Sequence, residues 1–275
     1  MRIVILGSSV YSETTCAMAV RMAESGHIPI GALALSSTDR ATLRRKLAQW
    51  GVPGVVNYAR TKLVPRRFDE RPRLNNPYLE SLLKNRDGVF RDLREVAAVY
   101  RFSVATCRDQ NFPSSIAQLR AWSPDLIIFT GGNILRKQLL QVPRLGVLNV
   151  HLGFLPEIRG MSSPEWSLLN HVPVGITIHY MDEGIDTGPI LQRYDFPDLA
   201  ECESLSDLRN RFIAFGVNKI AEVVNGLDQN KISATAQRDL DKDNQFFVMH
   251  EWLQARAAEC FTNRRKPIAA ETMNG

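Results

Sequence analysis

Three polar side chains of the kinds that bind carbonyl oxygens and move protons occur between residues 149 and 186. Asn149 and His151 stand two residues apart in an apolar segment, and Asp186 follows in a Gly-rich turn. An amide and an imidazole can stabilise an oxyanion, and a carboxylate can orient the imidazole or pass protons through water. These residue types predict acyl-group chemistry without a covalent intermediate.

The segments around these residues predict how they are positioned. Asn149 and His151 occupy positions i and i+2 of an extended segment, so their side chains point to the same face. Gly153 and Pro156 then turn the chain away, and crevices at the carboxyl ends of strands are where open α/β sheets bind ligands. Asp186 also follows a strand-like segment, so the fold can bring it to the same edge.

A nucleophilic site and a metal site have weaker support. Ser162 and Ser163 lie nearby, but their surroundings lack the G-x-S-x-G pattern of a nucleophile elbow. His151, His179 and Asp186 could coordinate a metal ion, yet nothing in their spacing marks a preformed ligand set. We therefore expect no metal in this site.

The composition is that of a protein with a substantial hydrophobic core. Of its 275 residues, 44% are hydrophobic, and no apolar run approaches the roughly 18 residues that a membrane-spanning helix needs. The four cysteines are scattered without a C-x-x-C pair, which argues against a zinc site and a disulfide framework and favours free thiols in a reducing cytosol. We expect a cytoplasmic protein without a membrane partner.

Apolar segments that alternate with helical patterns predict an α/β fold with a mainly parallel, twisted sheet and helices on both faces. The loop after the first segment lacks a G-x-G-x-x-G fingerprint, so a dinucleotide is not indicated. The predicted strands are 2–6, 28–35, 125–129, 147–151 and 175–181, with a further short strand at 104–107. The predicted helices are 12–25, 85–100, 114–122, 204–227 and 246–260.

Residues 40–103 interrupt this alternation and predict a basic, helical insertion. Between Arg60 and Arg101 there are eleven Lys and Arg residues against six Asp and Glu residues, a surplus equal to the net charge of +5 of the whole chain. Such a cluster can bind phosphates or nucleic acid, but the interleaved acidic residues favour a solvated face. We assign residues 1–200 to an α/β domain that includes the insertion, and residues 201–275 to a helical C-terminal extension.

Five motifs along this chain stand in the order and spacing of a known family. They are Asn149-x-His151, Leu155-Pro156, Arg159-Gly160, Gly175-x-Thr177-x-His179 and Asp186-x-Gly188-Pro189-Ile190. This pattern resembles the folate-dependent formyltransferases, which include glycinamide ribonucleotide formyltransferase and the catalytic domain of methionyl-tRNA formyltransferase. The resemblance covers residues 124–200 well and residues 1–38 loosely. It implies a Rossmann-like formyltransferase fold and 10-formyltetrahydrofolate as the formyl donor.

The resemblance also implies roles for individual residues. Asn149, His151 and Asp186 match the family's catalytic Asn, His and Asp, and His179 matches a strand histidine that supports the site. A cis peptide bond is implied at Leu155-Pro156. The residues implied to bind the folate are Gly132, Asn133, Ile134, Leu135, Leu155, Pro156, Met181, Asp182, Glu183, Gly184 and Ile185.

The predicted function is formyl transfer from 10-formyltetrahydrofolate to an amine. Asn149 and a protonated His151 would stabilise the oxyanion, and Asp186 would set the charge of the histidine and relay the proton. Hydrolysis of the formyl folate, with water as acceptor, and a non-catalytic folate- or partner-binding module are the alternatives. The helical region 201–275 lacks alternating strands like those of the methionyl-tRNA formyltransferase barrel, which disfavours initiator tRNA and favours a small amine acceptor. The basic insertion would suit an anionic acceptor, and a homodimer is left open.

Overall fold

The computed structural model describes residues 1–36, 74–86, 88–238 and 244–265. The chain forms two compact units. The N-terminal unit comprises residues 2–124 and 130–142, and the C-terminal unit comprises Met1 and residues 125–129 and 143–275. Most of the predicted insertion, residues 40–103, lies outside the described residues, and the predicted domain boundary at residue 200 stays a prediction.

The described elements of the N-terminal unit alternate strands with helices. In chain order they are β1 (Ile3–Gly7), α1 (Glu13–Glu24), β2 (Gly31–Leu35), a 3-10 helix (Pro77–Leu79), α2 (Glu80–Leu83), β3 (Lys84–Asn85), β4 (Gly88–Val89), α3 (Leu93–Tyr100), β5 (Ser103–Cys107), α4 (Pro113–Trp122) and α5 (Lys137–Leu140). Strands β1, β2 and β5 are parallel neighbours in that order. Every residue of β1 is buried, as expected for a strand covered on both faces.

The start of α3 differs from the sequence prediction of a helix over 85–100. The helix begins at Leu93, because the Asp92 carboxylate accepts hydrogen bonds from the backbone N–H groups of Arg94 and Glu95 and so caps it. Residues 84–85 and 88–89, which precede this cap, pair instead as the antiparallel strands β3 and β4. The helical periodicity of the sequence extends across this boundary, so periodicity alone could not locate the start of the helix. The position of the cap residue Asp92 determines it.

The C-terminal unit carries the remaining elements. They are β6 (Leu126–Phe129), β7 (Gly146–His151), β8 (Arg159–Gly160), α6 (Ser163–Leu169), β9 (Gly175–Tyr180), β10 (Ile190–Asp195), a 3-10 helix (Leu199–Glu201), α7 (Leu205–Asp228), β11 (Gln245–Phe246) and α8 (Glu251–Arg265). In this unit the sheet order is β10-β9-β7-β6. Strands β6 and β7 are parallel, and β9 is antiparallel to both β7 and β10. Strands β8 and β11 form a separate parallel pair.

The hydrophobic core of the C-terminal unit lies between its sheet and its helices α6, α7 and α8. Helix α7 begins after Ser204, whose hydroxyl accepts from the Asp207 N–H and so caps the helix. Helix α8 begins at Glu251, later than the predicted start at 246, because residues 245 and 246 are paired in β11. The buried cluster shared by these elements consists of Leu168, Val174, Ile176, Phe196, Cys202, Leu208, Phe212 and Phe261.

All five main predicted strands are present, together with the short strand β5, and parallel pairing predominates. The predicted α/β fold with a mainly parallel sheet is therefore confirmed. Strand β10 was not predicted as a strand. All four cysteines are free thiols, and among the described residues there is no helix long and apolar enough to span a membrane.

Candidate active site

The pairing of β7 with β9 brings the first polar side chains together. In this antiparallel register Asn149 lies opposite His179, and His151 lies opposite Thr177. Residues directly opposite each other share a face of the sheet, and so do residues i and i+2 of each strand. The Asn149 Nδ2 atom accordingly lies 3.2 Å from the His179 Nε2 atom.

Asp186 completes this group from the turn between β9 and β10. Its φ of 53° lies in the left-handed region, which Asp tolerates better than most residues. One carboxylate oxygen lies 3.4 Å from His151 Nδ1, and the other lies 3.5 Å from His179 Nε2. The structure therefore brings Asn149, His151 and Asp186 into one group with His179, hereafter called the polar cluster.

The hydrogen bonds of His151 determine where its ring carries a proton. Its Nε2 atom lies 2.7 Å from the backbone oxygen of Ile158, and since a carbonyl can only accept, Nε2 is the donor. The Ser163 hydroxyl lies 3.3 Å from the same nitrogen. In neutral His151 the lone pair is therefore on Nδ1, beside the Asp186 carboxylate, where the ring can take up a proton.

His179 is fixed by the same argument. Its Nδ1 atom lies 2.8 Å from the Tyr180 carbonyl oxygen and must donate to it. The other ring nitrogen, Nε2, faces the Asn149 amide nitrogen and accepts a hydrogen bond from it. Among the described residues the second N–H of this amide has no other partner, and it can donate to a ligand oxygen.

Burial and charge act in opposite directions on the two titrating partners. Burial lowers the pKa of His151, while the charge of Asp186 works to raise it. Burial also opposes the charge of Asp186, but His151, His179 and the Gly160 N–H outweigh this effect and lower the pKa of Asp186 to about 2. The Gly160 N–H donates to Asp186 over 2.8 Å. Asp186 is thus ionised throughout the neutral range, and burial favours neutral His151.

These pKa shifts predict that acid destabilises the protein. Both groups bind fewer protons when folded than when unfolded, so the free energy of unfolding decreases as the pH is lowered. The His151 contribution is lost as pH falls below 6.5. The Asp186 contribution, on the order of 2 kcal/mol, is lost as pH falls from 3.8 toward about 2. In urea unfolding as a function of pH, Asp186→Asn should weaken the dependence in the lower range. An unchanged dependence would contradict the assigned pKa of Asp186.

Three side chains of the polar cluster, those of His151, His179 and Asp186, are of types that can bind a metal ion, and they contact one another. Both histidines have a nitrogen within 3.5 Å of an Asp186 oxygen. Within the described ranges no group of three or more His, Cys, Asp or Glu side chains is arranged to hold a metal ion. The geometry places a carboxylate beside two ring nitrogens, an arrangement that can hold a proton on an imidazole.

The turn that follows β7 is anchored by Thr177. Its hydroxyl donates to the Gly153 oxygen over 2.8 Å and accepts from the Leu155 N–H over 3.1 Å. The peptide bond between Leu155 and Pro156 is cis, so that expectation is confirmed. The Leu155 side chain is fully buried, so this predicted folate-binding residue packs inside the protein, whereas Pro156 is half-buried.

The four predicted folate-binding residues of the N-terminal unit have different environments. Gly132 has a φ of 144°, and a Cβ atom there would lie 2.1 Å from the side-chain oxygen of Gln110. Asn133 exchanges two hydrogen bonds with Gln110, of 3.2 and 2.9 Å. Ile134 is 80% exposed, whereas Leu135 is buried. Gly132 and Asn133 thus hold buried Gln110, and Ile134 is the exposed apolar side chain.

The predicted folate-binding loop of the C-terminal unit is exposed but ordered by its own contacts. The backbone N–H of Met181 donates to β7, and residues 182–185 are all exposed. The Asp182 carboxylate accepts from the Gly184 N–H over 3.1 Å and from the Thr187 hydroxyl over 2.6 Å. The loop therefore presents backbone groups to a ligand without depending on that ligand for its shape.

Sequence reasoning missed several groups that contact the polar cluster. They are the backbone groups of Ile158 and Gly160, the Ser163 hydroxyl, and Gln237, whose side chain donates to the Asp186 carbonyl over 2.9 Å. Backbone groups leave no signal in residue type. The spacing Thr177-x-His179, which parallels Asn149-x-His151, was the available signal for the importance of His179.

This geometry occurs in a chain whose sequence matches a known family. A family model described as formyl transferase matches residues 1–224. The chain belongs to the formyl transferase family. The match includes every residue of the polar cluster and every predicted folate-binding residue.

Curated relatives of this chain include methionyl-tRNA formyltransferases. The protein from Trichlorobacter lovleyi is 38% identical over 129 residues, which are 46% of this chain and 40% of that protein. The protein from Clostridioides difficile is 30% identical over 141 residues, which are 50% of this chain and 43% of that protein. The chain thus spans less than half the length of these relatives.

Solved structures similar to this chain share its fold. A glycinamide ribonucleotide transformylase from Symbiobacterium toebii has a TM-score of 0.55 at 17% identity, covering 86% of this chain and 94% of that one. An N-formyltransferase from Helicobacter canadensis, solved with folinic acid and dTDP-3-aminofucose, has a TM-score of 0.51 at 14% identity, covering 90% and 71%. At these identities the likeness supports the fold.

Proposed function

We propose that this formyl transferase moves the formyl group of 10-formyltetrahydrofolate directly to an amine. The observation that carries the proposal is the polar cluster. Asn149, His151 and Asp186 lie in one group with His179, with contacts of 3.2 to 3.5 Å, in a chain whose residues 1–224 match the family. Their amide, imidazole and carboxylate are the groups that direct acyl transfer requires.

The Asn149 amide has two N–H groups, and one of them donates to His179. The other is proposed to donate to the formyl oxygen. As the amine forms its bond to the formyl carbon, negative charge grows on this oxygen, and a fixed donor stabilises it. The orientation of the amide by His179 supports this role, because the donor is set before substrate arrives.

The His151–Asp186 pair is proposed to handle the proton. The attacking amine loses one proton, which Nδ1 of neutral His151 accepts, and the adjacent Asp186 carboxylate stabilises the imidazolium that results. His151 then returns that proton to the departing folate nitrogen, so the proton count balances. The positive charge of the protonated His151 is proposed to stabilise the negative charge on the formyl oxygen as well. The earlier expectation of a protonated His151 thus applies to the transition state, since burial favours the neutral ring before it.

The folate site is proposed to include the exposed loop 182–185 and Pro156. 10-Formyltetrahydrofolate supplies an activated formyl group and a nitrogen leaving group. Exposed backbone donors and acceptors beside a glycine suit the polar edge of a flat heterocycle. The loop contacts of Asp182 described above support this assignment, because they preform the loop.

Removing the Asp182 carboxylate should weaken folate binding. Asp182→Ala deletes the acceptor of the Gly184 N–H and the Thr187 hydroxyl, and two lost hydrogen bonds at an exposed site should raise the KM for the folate by about 10-fold. Steady-state kinetics at saturating acceptor checks this result, and kcat should change much less. Asp195→Ala, an exposed Asp at the end of β10, is the matched control. A KM equal to that of the control would exclude the loop from the folate site.

The acceptor is proposed to be a small amine, and a panel of acceptors tests it. Tetrahydrofolate release should be followed with an amino sugar nucleotide, glycinamide ribonucleotide, methionyl-tRNA, and no amine. Release that requires one small amine, together with a formylated product, supports the proposal. Equal release without amine would identify a hydrolase, and folate binding without any release would identify a binding module.

A further inference from the structure

The turn that carries Asp186 is held by a side chain far downstream. The Gln237 amide nitrogen donates to the carbonyl oxygens of Asp186 and Gly188, over 2.9 and 2.6 Å. Thr235 exchanges two backbone hydrogen bonds of 2.8 Å with Ile190 at the start of β10. Thr235 and Gln237 therefore hold the backbone of residues 186–190, which includes the residue whose carboxylate belongs to the polar cluster.

A second downstream segment holds the chain on the other side of Asp186. Strand β11 pairs with β8, so that Phe246 lies beside Gly160, and the Met161 N–H donates to the Phe246 oxygen over 3.0 Å. Gly160 has a φ of 95°, and a Cβ atom there would lie 2.1 Å from that same oxygen. The close approach of β11 therefore requires glycine at position 160.

Side chains secure β11 in this place. The Trp166 ring stacks on the Phe246 ring with centroids 4.8 Å apart, and its Nε1 atom donates to the Phe247 oxygen over 2.9 Å. The Met249 N–H donates to the Ser162 hydroxyl over 3.2 Å. The pairing is thus a packed contact that involves both backbone and side chains.

The segment held by β11 makes direct contacts with the polar cluster. The Gly160 N–H donates to the Asp186 carboxylate, and the Ile158 oxygen accepts the Nε2–H of His151. Displacing residues 158–160 would therefore disturb the relative position of His151 and Asp186, and would free His151 to place its ring proton on the other nitrogen.

We propose that residues 235–237 and 245–249, hereafter the C-terminal brace, are positioning elements of the active site. The brace acts through the Asp186 turn and through residues 158–162, and it lies beyond residues 1–224, which the family model matches. Its catalytic consequence rests on the proposed function. A displacement of about 1 Å in a reacting group can cost 10²-fold in rate, so loosening either contact should lower kcat by about 10- to 100-fold.

Variants at both contacts test the brace, with two readouts. Gln237→Ala removes the two hydrogen bonds to the Asp186 turn. Phe246→Ala removes the ring that stacks on Trp166 and holds β11. Phe246→Leu keeps an apolar side chain there and should retain most of the wild-type kcat. Gln192→Ala is the matched control, because it replaces an exposed Gln on β10 whose side chain donates a hydrogen bond to the carbonyl oxygen of its neighbour Arg193. The first readout is kcat with the formyl acceptor. The second is the set of imidazole 15N shifts of His151, which report its tautomer without any substrate.

The expected result is a loss of kcat in both alanine variants, with a shift of the His151 signals away from the pure Nε2–H form. Unchanged kcat and unchanged His151 signals in folded variants would overturn the proposal. If an alanine variant fails to fold by circular dichroism, Gln237→Glu, which keeps the size but removes the donor to the turn, decides in its place. If the wild-type protein transfers no formyl group, the proposed function fails, but the 15N shifts still decide whether the brace positions His151.

Discussion

The His151→Ala variant should lose about 10²–10⁴-fold in kcat, the range for removing a general acid–base group. In the proposed mechanism His151 accepts the amine proton at Nδ1, and its ring lies between the Ile158 oxygen and the Asp186 carboxylate. The KM for the folate should hardly change, because an interaction made only in the transition state does not contribute to ground-state binding. Steady-state kinetics with varied folate at saturating acceptor measures both constants.

A matched control separates this effect from a general loss of structure. His171→Asn replaces an exposed histidine of the same unit, and Asn tolerates its φ of 56°. The control should retain the wild-type kcat, and circular dichroism should show that both variants are folded. A folded His151→Ala enzyme with near-wild-type kcat would remove His151 from the mechanism and leave Asn149 as the main source of stabilisation.

The parts of the site that local sequence rules govern could be predicted. Strand alternation placed Asn149 and His151 on one face, and the structure has both on β7 with side chains in the polar cluster. The glycines around Asp186 predicted a turn after β9, where the residue lies. Periodicity alone could not predict that the Asp186 turn lies beside strand β7. The resemblance to the family predicted it.

The parts of the site that depend on long-range contacts could not be predicted. Gln237 contacts Asp186 across 51 positions of sequence, and β11 is only two residues long. Neither has a periodic signal, and the helical pattern over 246–260 indicated a helix where Phe246 is in a strand. The backbone groups that contact His151 and Asp186 belong to residues 158 and 160, whose side chains gave no hint of them.

The charge of His151 is a second case in which sequence was insufficient. The neighbouring Asp186 indicated an imidazolium, because an opposite charge favours the protonated ring. The structure adds burial, which is the larger influence on the pKa of His151 and favours the neutral ring. Burial depends on the packing of the whole unit, and no pattern within residues 149–186 reports it.

The Asn149→Ala variant should lose about 10²–10³-fold in kcat, the range for removing one donor to a developing oxyanion. Asn149→Asp should lose at least as much, because it keeps the shape but removes both N–H groups and adds a negative charge beside Asp186. Asn218→Ala, which removes an exposed Asn from helix α7, is the matched control and should leave kcat unchanged.

A cycle with His179 tests why Asn149 is an effective donor. Its amide is oriented by the 3.2 Å contact to His179, so His179→Ala should lower kcat by less than Asn149→Ala does. If His179 acts mainly by orienting that amide, its effect should largely disappear in the Asn149→Ala background, because two residues that act through one contact are not additive. Fully additive losses would assign His179 an independent role, through its 3.5 Å contact with Asp186. Retention of wild-type kcat by both Asn149 variants would mean that the formyl oxygen is bound elsewhere.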